Sequence, residues 1–206
     1  MDQRIDLGSF SLVLRSPAEP DSLIDEERFD EDEFLPYWAE LWPSGIALAR
    51  HLTALELRGK RVLELGCGLA LPSLTAALVG ADVLATDWAP EAIELVTANA
   101  ALNEIVLSSA VLDWRLESAS NATTFDLVLA ADVLYEERNA APLLRLLDGT
   151  MAPGGEALIA DPGRRHAQVF FDRARTQGWS TEHIAVAELP TGGITVVRRP
   201  GARGTD

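Results

Sequence analysis

Short apolar runs alternate with amphipathic, helix-like stretches from Arg61 to the end of the chain. Strand and helix patterns that alternate in this way predict an α/β domain built on a largely parallel sheet. After a first strand that begins at Arg61, the apolar runs predict strands over 82–86, 110–112, 125–131, 156–160, 184–187 and 194–198. The intervening patterns predict helices over 71–79, 89–102, 136–147 and 165–177, with a turn over 151–155.

The segment before Arg61 has a less regular pattern. Alternation over 10–15 predicts an edge strand or half of a hairpin, and Ser44 is suited to cap a helix over 45–55. The acid-rich stretch 25–33 is either a solvated loop or helix face, or an acidic rim that attracts a basic substrate. We expect one domain over 1–206, with an N-terminal extension over 1–34, a core over 35–199 and a disordered tail over 200–206.

A glycine turn follows the first strand. Gly66 and Gly68 lack a Cβ atom, so their backbone can adopt positive φ and a ligand can approach it closely. Leu71 stands where a dinucleotide fingerprint has its third glycine, and no GxxxxGK[ST] loop is present, which disfavours nicotinamide, flavin and nucleoside-triphosphate ligands. Cys67 is interpreted as a small residue filling the turn, with a reactive thiol as the alternative.

Carboxylates stand at the ends of five successive predicted strands: Glu64, Asp87, Asp113, Asp132 and Asp161. The C-terminal ends of parallel strands share one edge of the sheet, where open α/β folds bind their ligands. Each acid could instead cap the helix that follows it. A full row of acids nevertheless suits a ligand that carries hydroxyls and positive charge, and it does not suit a polyphosphate.

Three motifs resemble those of seven-strand S-adenosylmethionine-dependent methyltransferases and, within them, of protein-lysine methyltransferases. They are Glu64-Leu65-Gly66-Cys67-Gly68, Trp42-Pro43 before the first strand, and Asp132-Val133-Leu134-Tyr135 after the fourth. Further likeness is to the electron transfer flavoprotein β-subunit lysine methyltransferases, through Trp38-Ala39, Arg58-Gly59-Lys60 and Asp161-Pro162-Gly163-Arg164. The resemblance runs over 35–199. It departs at Ala70, which replaces a third glycine, and at Leu134, where that group tends to have an aromatic residue.

The resemblance implies a Rossmann-like seven-strand sheet with helices on both faces and an antiparallel last strand. It also implies S-adenosylmethionine as cofactor and S-adenosylhomocysteine as product. The residues expected to bind the cofactor are Trp42, Glu64, Gly66, Cys67, Gly68, Asp87, Trp88, Asp113, Trp114 and Ala131. Among them, Asp87 would take the ribose hydroxyls, Asp113 and Trp114 the adenine, and Trp42 the sulfonium by a cation–π contact.

The implied reaction is methylation of a lysine side chain in a protein. Asp132 would hold and orient the acceptor amine, and Tyr135 would form part of an aromatic channel around its alkyl stem. A small-molecule N- or O-methyltransferase remains an alternative, as does a binding domain without catalysis. We expect no metal site, since His51, His166 and His183 are widely separated in the sequence.

Charge and composition narrow the choice of partners. The chain of 206 residues has 17 basic and 32 acidic side chains and a formal net charge of -15, which disfavours nucleic acid and favours a locally basic protein segment. No apolar run is long enough to span a bilayer, and no signal-peptide pattern precedes the domain. The single cysteine excludes an internal disulfide. A cytoplasmic location without membrane association is expected.

Overall fold

The computed structural model describes residues 1–17, 36–113 and 123–200. The acid-rich stretch 25–33, Trp114 and residues 201–206 of the expected tail lie outside the described residues. In the described part of the chain, no helix has the length and apolar character needed to cross a membrane.

A seven-stranded sheet forms the centre of the molecule, with the strand order β5-β4-β3-β6-β7-β9-β8. Its strands are β3 (Arg61–Leu65), β4 (Asp82–Asp87), β5 (Ser108–Val111), β6 (Phe125–Ala131), β7 (Met151–Asp161), β8 (Ser180–Ile184) and β9 (Gly193–Arg198). Strands β3 to β7 are parallel, whereas β9, the last strand of the chain, is antiparallel to both of its neighbours. This arrangement confirms the predicted Rossmann-like α/β fold.

Helices cover both faces of the sheet because successive strand residues point to opposite sides. They are α1 (Pro43–Leu52), α2 (Leu71–Leu78), α3 (Pro90–Leu102), α4 (Ala140–Thr150) and α5 (Arg165–Thr176). Val128 of β6 packs in a core cluster with residues of α4 and α5. The next residue, Leu129, packs in a second cluster with residues of α1 and α2. The apolar run Leu127 to Ala130 of β6 is therefore buried from both sides.

Several predicted boundaries were wrong. Met151 to Gly155 belong to β7 and do not form a separate turn; a register shift between Phe125 and Leu127 accommodates the extra residues as an irregularity in the β6–β7 pairing. Strand β8 begins at Ser180, whereas the predicted strand began at Ile184. This edge strand is mostly solvent-exposed and shows little apolar alternation, so the sequence pattern did not reveal its first residues. Ser44 does not cap α1; it lies buried inside the helix, which begins at Pro43.

The alternating stretch near the N-terminus forms the predicted hairpin. Strand β2 (Ser11–Arg15) pairs antiparallel with β1 (Asp2–Asp6) in a separate two-stranded sheet. Its apolar side packs against residues of the glycine turn and α2 that include Leu69 and Leu74. The hairpin therefore supports the glycine turn from outside the central sheet.

Lys60, the only lysine of the chain, is exposed immediately before β3. It lies at the N-terminal end of this strand, whereas the glycine turn follows the C-terminal end. The length of a strand therefore separates Lys60 from the glycine turn.

Candidate active site

The glycine turn connects β3 to α2 through three residues with positive φ. Gly66, Gly68 and Ala70 have φ values of 66°, 49° and 61°. A Cβ atom on Gly66 would lie 2.9 Å from a methyl group of Val133, and one on Gly68 would lie 3.0 Å from the carbonyl oxygen of Trp38. Both positions therefore require glycine, because their φ values are positive and a side chain would meet neighbouring atoms. The turn exposes backbone atoms that a ligand can approach.

Glu64 lies beneath the start of α2. Its side chain accepts hydrogen bonds from the backbone N–H of Ser73 at 2.9 Å and from the Ser73 hydroxyl. Burial of the carboxyl group, only 1% exposed, raises the pKa of Glu64 to about 8. Glu64 thus combines a local structural role with a position on the cavity wall.

Asp87, the last residue of β4, is tied to the glycine turn. Its carboxylate accepts from the backbone N–H of Gly68 at 2.9 Å and from that of Ala89 at 3.1 Å. Burial raises the pKa of Asp87 in spite of these hydrogen bonds. A carboxylate has more acceptor positions than these two bonds occupy, so hydroxyl groups of a ligand can still be bound.

A cavity of about 350 Å³ opens at the C-terminal ends of β3, β4 and β6. It lies where the strand order reverses between β3 and β6, the position at which open α/β sheets bind ligands. The predicted site residues that line it are Trp42, Glu64, Gly66, Cys67, Gly68, Asp87, Trp88, Ala131, Asp132 and Tyr135.

Two predicted acids are not brought into this lining. Asp113 follows β5 and is absent from the described residues around the cavity, and Trp114 beside it lies outside the described residues. Asp161 instead accepts hydrogen bonds from the backbone N–H groups of Gly163 and Arg164 at 2.8 and 2.6 Å. It therefore organises the turn after β7, and it does not cap α5, whose cap residue is Arg164.

Cys67 is buried within the turn. Burial raises the pKa of its thiol well above the usual range, and the nearby carboxyl groups of Asp87 and Glu64 act in the same direction. A thiol in this environment is a poor nucleophile. These features favour the interpretation of Cys67 as a small residue that fills the turn.

An aromatic cluster that sequence reasoning identified only in part forms one wall. The Tyr37 ring lies 6.1 Å from that of Trp42 and 5.5 Å from that of Tyr135, measured between centroids. The Trp42 indole N–H also donates to the carbonyl oxygen of Tyr37 at 2.9 Å. Tyr37 was missed, although the aromatic-rich stretch that contains it was visible in the sequence.

Asp132 follows β6 in an unusual conformation. Its φ is 60°, a left-handed value, and its backbone N–H donates to the carbonyl oxygen of Ala160 at 2.9 Å. Glu136 occupies the cap position of the next helical turn, so Asp132 does not cap that helix. Its side chain, 7% exposed, forms an ion pair with Arg164, a cavity residue for which the sequence analysis gave no role.

The fold is similar to that of solved S-adenosylmethionine-dependent methyltransferases. It superposes on a TehB-like methyltransferase of Corynebacterium glutamicum with a TM-score of 0.60 at 22% identity, covering 78% of this chain and 89% of that one. It superposes on the Thermus thermophilus 16S rRNA N2 G1207 methyltransferase RsmC with a TM-score of 0.65 at 13% identity, covering 97% and 50%. At these identities the likeness establishes the fold.

The chain belongs to the lysine methyltransferase family, whose model matches residues 27–177. It is 38% identical over 133 residues to the electron transfer flavoprotein beta subunit lysine methyltransferase of Danio rerio, covering 63% of this chain and 51% of that protein. It is 32% identical over 151 residues to the EEF1A lysine methyltransferase 3 of Mus musculus, covering 70% and 65%. The chain spans about half the length of the first of these curated relatives.

Proposed function

We propose that this protein is an S-adenosylmethionine-dependent N-methyltransferase that modifies a lysine side chain of a protein substrate. One observation carries the proposal: a single cavity joins the glycine turn to Asp132 and Tyr135. Family membership supports lysine as the acceptor residue. The beta subunit of electron transfer flavoprotein is the first acceptor to test, because relatives at 38% identity carry that name.

The residues around the turn fit the proposed cofactor. Gly66 and Gly68 allow close approach to the backbone, and Asp87 can accept hydroxyl hydrogens of a ribose. Trp42 offers an aromatic face to a sulfonium, and Glu64 lies on the cavity wall, where a bound cation would favour its ionised form. Contacts of Asp113 and Trp114 with the adenine remain predictions. When bound, S-adenosylmethionine supplies an electrophilic methyl group on sulfur.

The part of the cavity lined by Asp132 and Tyr135 suits a lysine side chain. The carboxylate of Asp132 would bind the ammonium group on arrival and then orient the amine after its proton has left to water. The rings of Tyr37 and Tyr135 would flank the alkyl stem. The amine lone pair then forms the N–C bond as the S–C bond breaks, and alignment of these atoms can account for up to about 7–11 kcal/mol of the barrier.

The charge of the chain supports a basic acceptor segment. The formal net charge is -15, and Glu40 and Glu136 line the same cavity as the aromatic residues. Such a field attracts a lysine-bearing, locally basic peptide and repels phosphate backbones. The cytoplasmic location and the absence of membrane association stay predictions.

The direct test uses purified protein, isotope-labelled S-adenosylmethionine and purified electron transfer flavoprotein, with the modified residue located by mass spectrometry. Asp132→Asn should reduce transfer at least a hundredfold while calorimetric binding of S-adenosylhomocysteine stays close to wild type. Glu94→Gln removes one negative charge from an exposed position of α3 and serves as the matched control. Loss of cofactor binding in the Asp132 variant would make this residue part of the cofactor site instead.

The alternative acceptor, a small molecule, is tested by the same label in a cell lysate. Label on a lysine of any protein supports the proposal, including a protein other than the flavoprotein. Label confined to small metabolites would refute it. Thermal stabilisation by S-adenosylhomocysteine distinguishes both outcomes from a domain that binds no such cofactor.

A further inference from the structure

The motif Asp161-Pro162-Gly163-Arg164 forms a rigid turn between β7 and α5. Asp161 holds the backbone N–H groups of Gly163 and Arg164. Gly163 has a φ of 95°, and a Cβ atom there would clash with the carbonyl oxygen of Thr191. The Thr191 hydroxyl also donates to the carbonyl oxygen of Pro162 at 2.7 Å. The backbone of Arg164 is therefore fixed from two sides.

From this turn the Arg164 side chain reaches Asp132 on the neighbouring strand end. Its Nε lies 3.0 Å and its Nη2 2.5 Å from the same carboxylate oxygen, Oδ1. Asp132 is held in turn by its left-handed backbone and its bond to Ala160. The Asp132 side chain is almost buried, whereas the Arg164 side chain is 35% exposed and lines the cavity.

We propose that Arg164 is a positioning residue for methyl transfer: it fixes Asp132 through Oδ1, directs Oδ2 towards the acceptor amine, and favours the uncharged amine by its own positive charge. This inference rests on the proposed function. A lysine amine is protonated near neutral pH and attacks only after deprotonation. A nearby guanidinium disfavours the ammonium form, so it offsets the opposite effect of the carboxylate.

Other ionisable side chains line the same cavity or belong to the neighbouring elements. Those in the cavity lining are Tyr37 and Glu40 before α1, Glu64 on β3, Cys67 in the glycine turn, Asp87 on β4, and Tyr135 and Glu136 after β6. Asp161 on β7 interacts electrostatically with Asp132, Arg138 is ion-paired with Glu136, and His166 on α5 lies two positions after Arg164 in the chain. Arg164→Gln removes both the positive charge and the bonds to Asp132, and comparison with Arg164→Lys separates the two effects.

The test measures kcat and KM for the electron transfer flavoprotein beta subunit from about pH 6.5 to pH 9.5. Arg164→Gln should lower kcat near neutral pH about tenfold and move the rising limb of the profile about one pH unit upwards, with cofactor affinity unchanged. Arg164→Lys keeps the charge without the two-point contact. It should restore the position of the limb but leave a reduced plateau. Arg165→Gln, an exposed charge loss one residue away, should behave like wild type.

Each negative outcome has a different meaning. Wild-type kcat and an unshifted profile in Arg164→Gln would overturn the inference and leave the proposed function intact. Loss of S-adenosylhomocysteine binding in a folded Arg164→Lys protein would also overturn it, because Arg164 would then be a cofactor residue. A wild-type protein that methylates no lysine would overturn the proposed function, and the inference with it.

Discussion

The side-chain amide of Asn99 pairs with the backbone of Arg15 as a neighbouring β-strand would. Its Oδ1 accepts the Arg15 N–H at 2.6 Å and its Nδ2 donates to the Arg15 carbonyl at 3.2 Å. One helical turn later, Asn103 forms the same pair of bonds with Val13 at 2.8 and 2.7 Å. Helix α3 and Asn103, its C-cap residue, thus hold the edge of the hairpin through two amides. Asn99 also donates to the carbonyl oxygen of Leu69 in the glycine turn.

Asn99→Ala and Asn103→Ala should therefore have different effects on cofactor binding. Both leave backbone groups of β2 without their amide partner, and we expect each to lower the free energy of unfolding by roughly 1–3 kcal/mol. Only Asn99→Ala also removes a bond to the turn, so it should weaken S-adenosylhomocysteine binding severalfold. Denaturant unfolding and calorimetry measure the two effects. Equal loss of affinity in both variants would assign that loss to the hairpin as a whole.

Glu64 should make stability fall as pH rises. Its pKa in the folded protein is about 8, against an ordinary value of 4.5. Between these values the unfolded chain releases the proton that the folded protein keeps, so the free energy of unfolding decreases up to about pH 8 and then levels. Glu64→Gln removes this contribution. The difference in the free energy of unfolding between this variant and wild type should therefore shift by a few kcal/mol in favour of the variant as the pH rises from about 4.5 to about 8.

Urea unfolding at several pH values measures this difference, since paired surface carboxylates such as Asp2 are unchanged in both proteins. Parallel stability curves would show that the Glu64 carboxyl group ionises normally in the folded protein.

Ala70 should tolerate glycine better than another buried alanine of the same region does. Ala70 and Ala76 are both fully buried, but only Ala70 has a left-handed backbone. In both cases, replacement by glycine removes a buried methyl group and increases the conformational entropy of the unfolded chain. Only at Ala70 does it also relieve the strain of a left-handed backbone. Ala70→Gly should therefore cost about 1–2 kcal/mol less than Ala76→Gly. Thermal and denaturant unfolding of the two variants tests this, and equal costs would contradict it.

Tyr37 should affect the acceptor more than the cofactor. Its ring is 43% exposed and bridges Trp42 and Tyr135 at the cavity wall. Tyr37→Ala removes aromatic contacts worth roughly 1 kcal/mol, so KM for the protein acceptor should rise about fivefold or more. Tyr37→Phe keeps the ring and should retain wild-type KM. Steady-state kinetics with calorimetry as control measures this; an equal loss of cofactor affinity would place Tyr37 on the cofactor side.

The residues at the C-terminal ends of the strands could be predicted well, because an apolar run and a glycine turn are signals within a short stretch of sequence. The strongly apolar strand β6 has the predicted bounds Phe125–Ala131, and the glycine pair marks the turn after β3. Most of the predicted cavity residues follow directly from these two features. Parallel neighbours then bring the strand ends together without further information.

Contacts between distant segments could not be predicted in this way. Arg164 and Asp132 are 32 positions apart, and their pairing depends on the adjacency of β6 and β7. The pairing of Asn103 with Val13 spans 90 positions and requires the hairpin to dock on α3. In the sequence, Asn99 and Asn103 cannot be distinguished from polar residues on an exposed helix face.

The position of Lys60 predicts little self-methylation in a methyl-transfer assay. Its lone side-chain amine sits at the far end of β3 from the cavity, about 16 Å away along the strand, so one molecule cannot present it to its own donor. Incorporation of isotope into any lysine of an added protein is then read against almost no self-labelling background. An arginine at position 60 would remove what little background two colliding copies could produce.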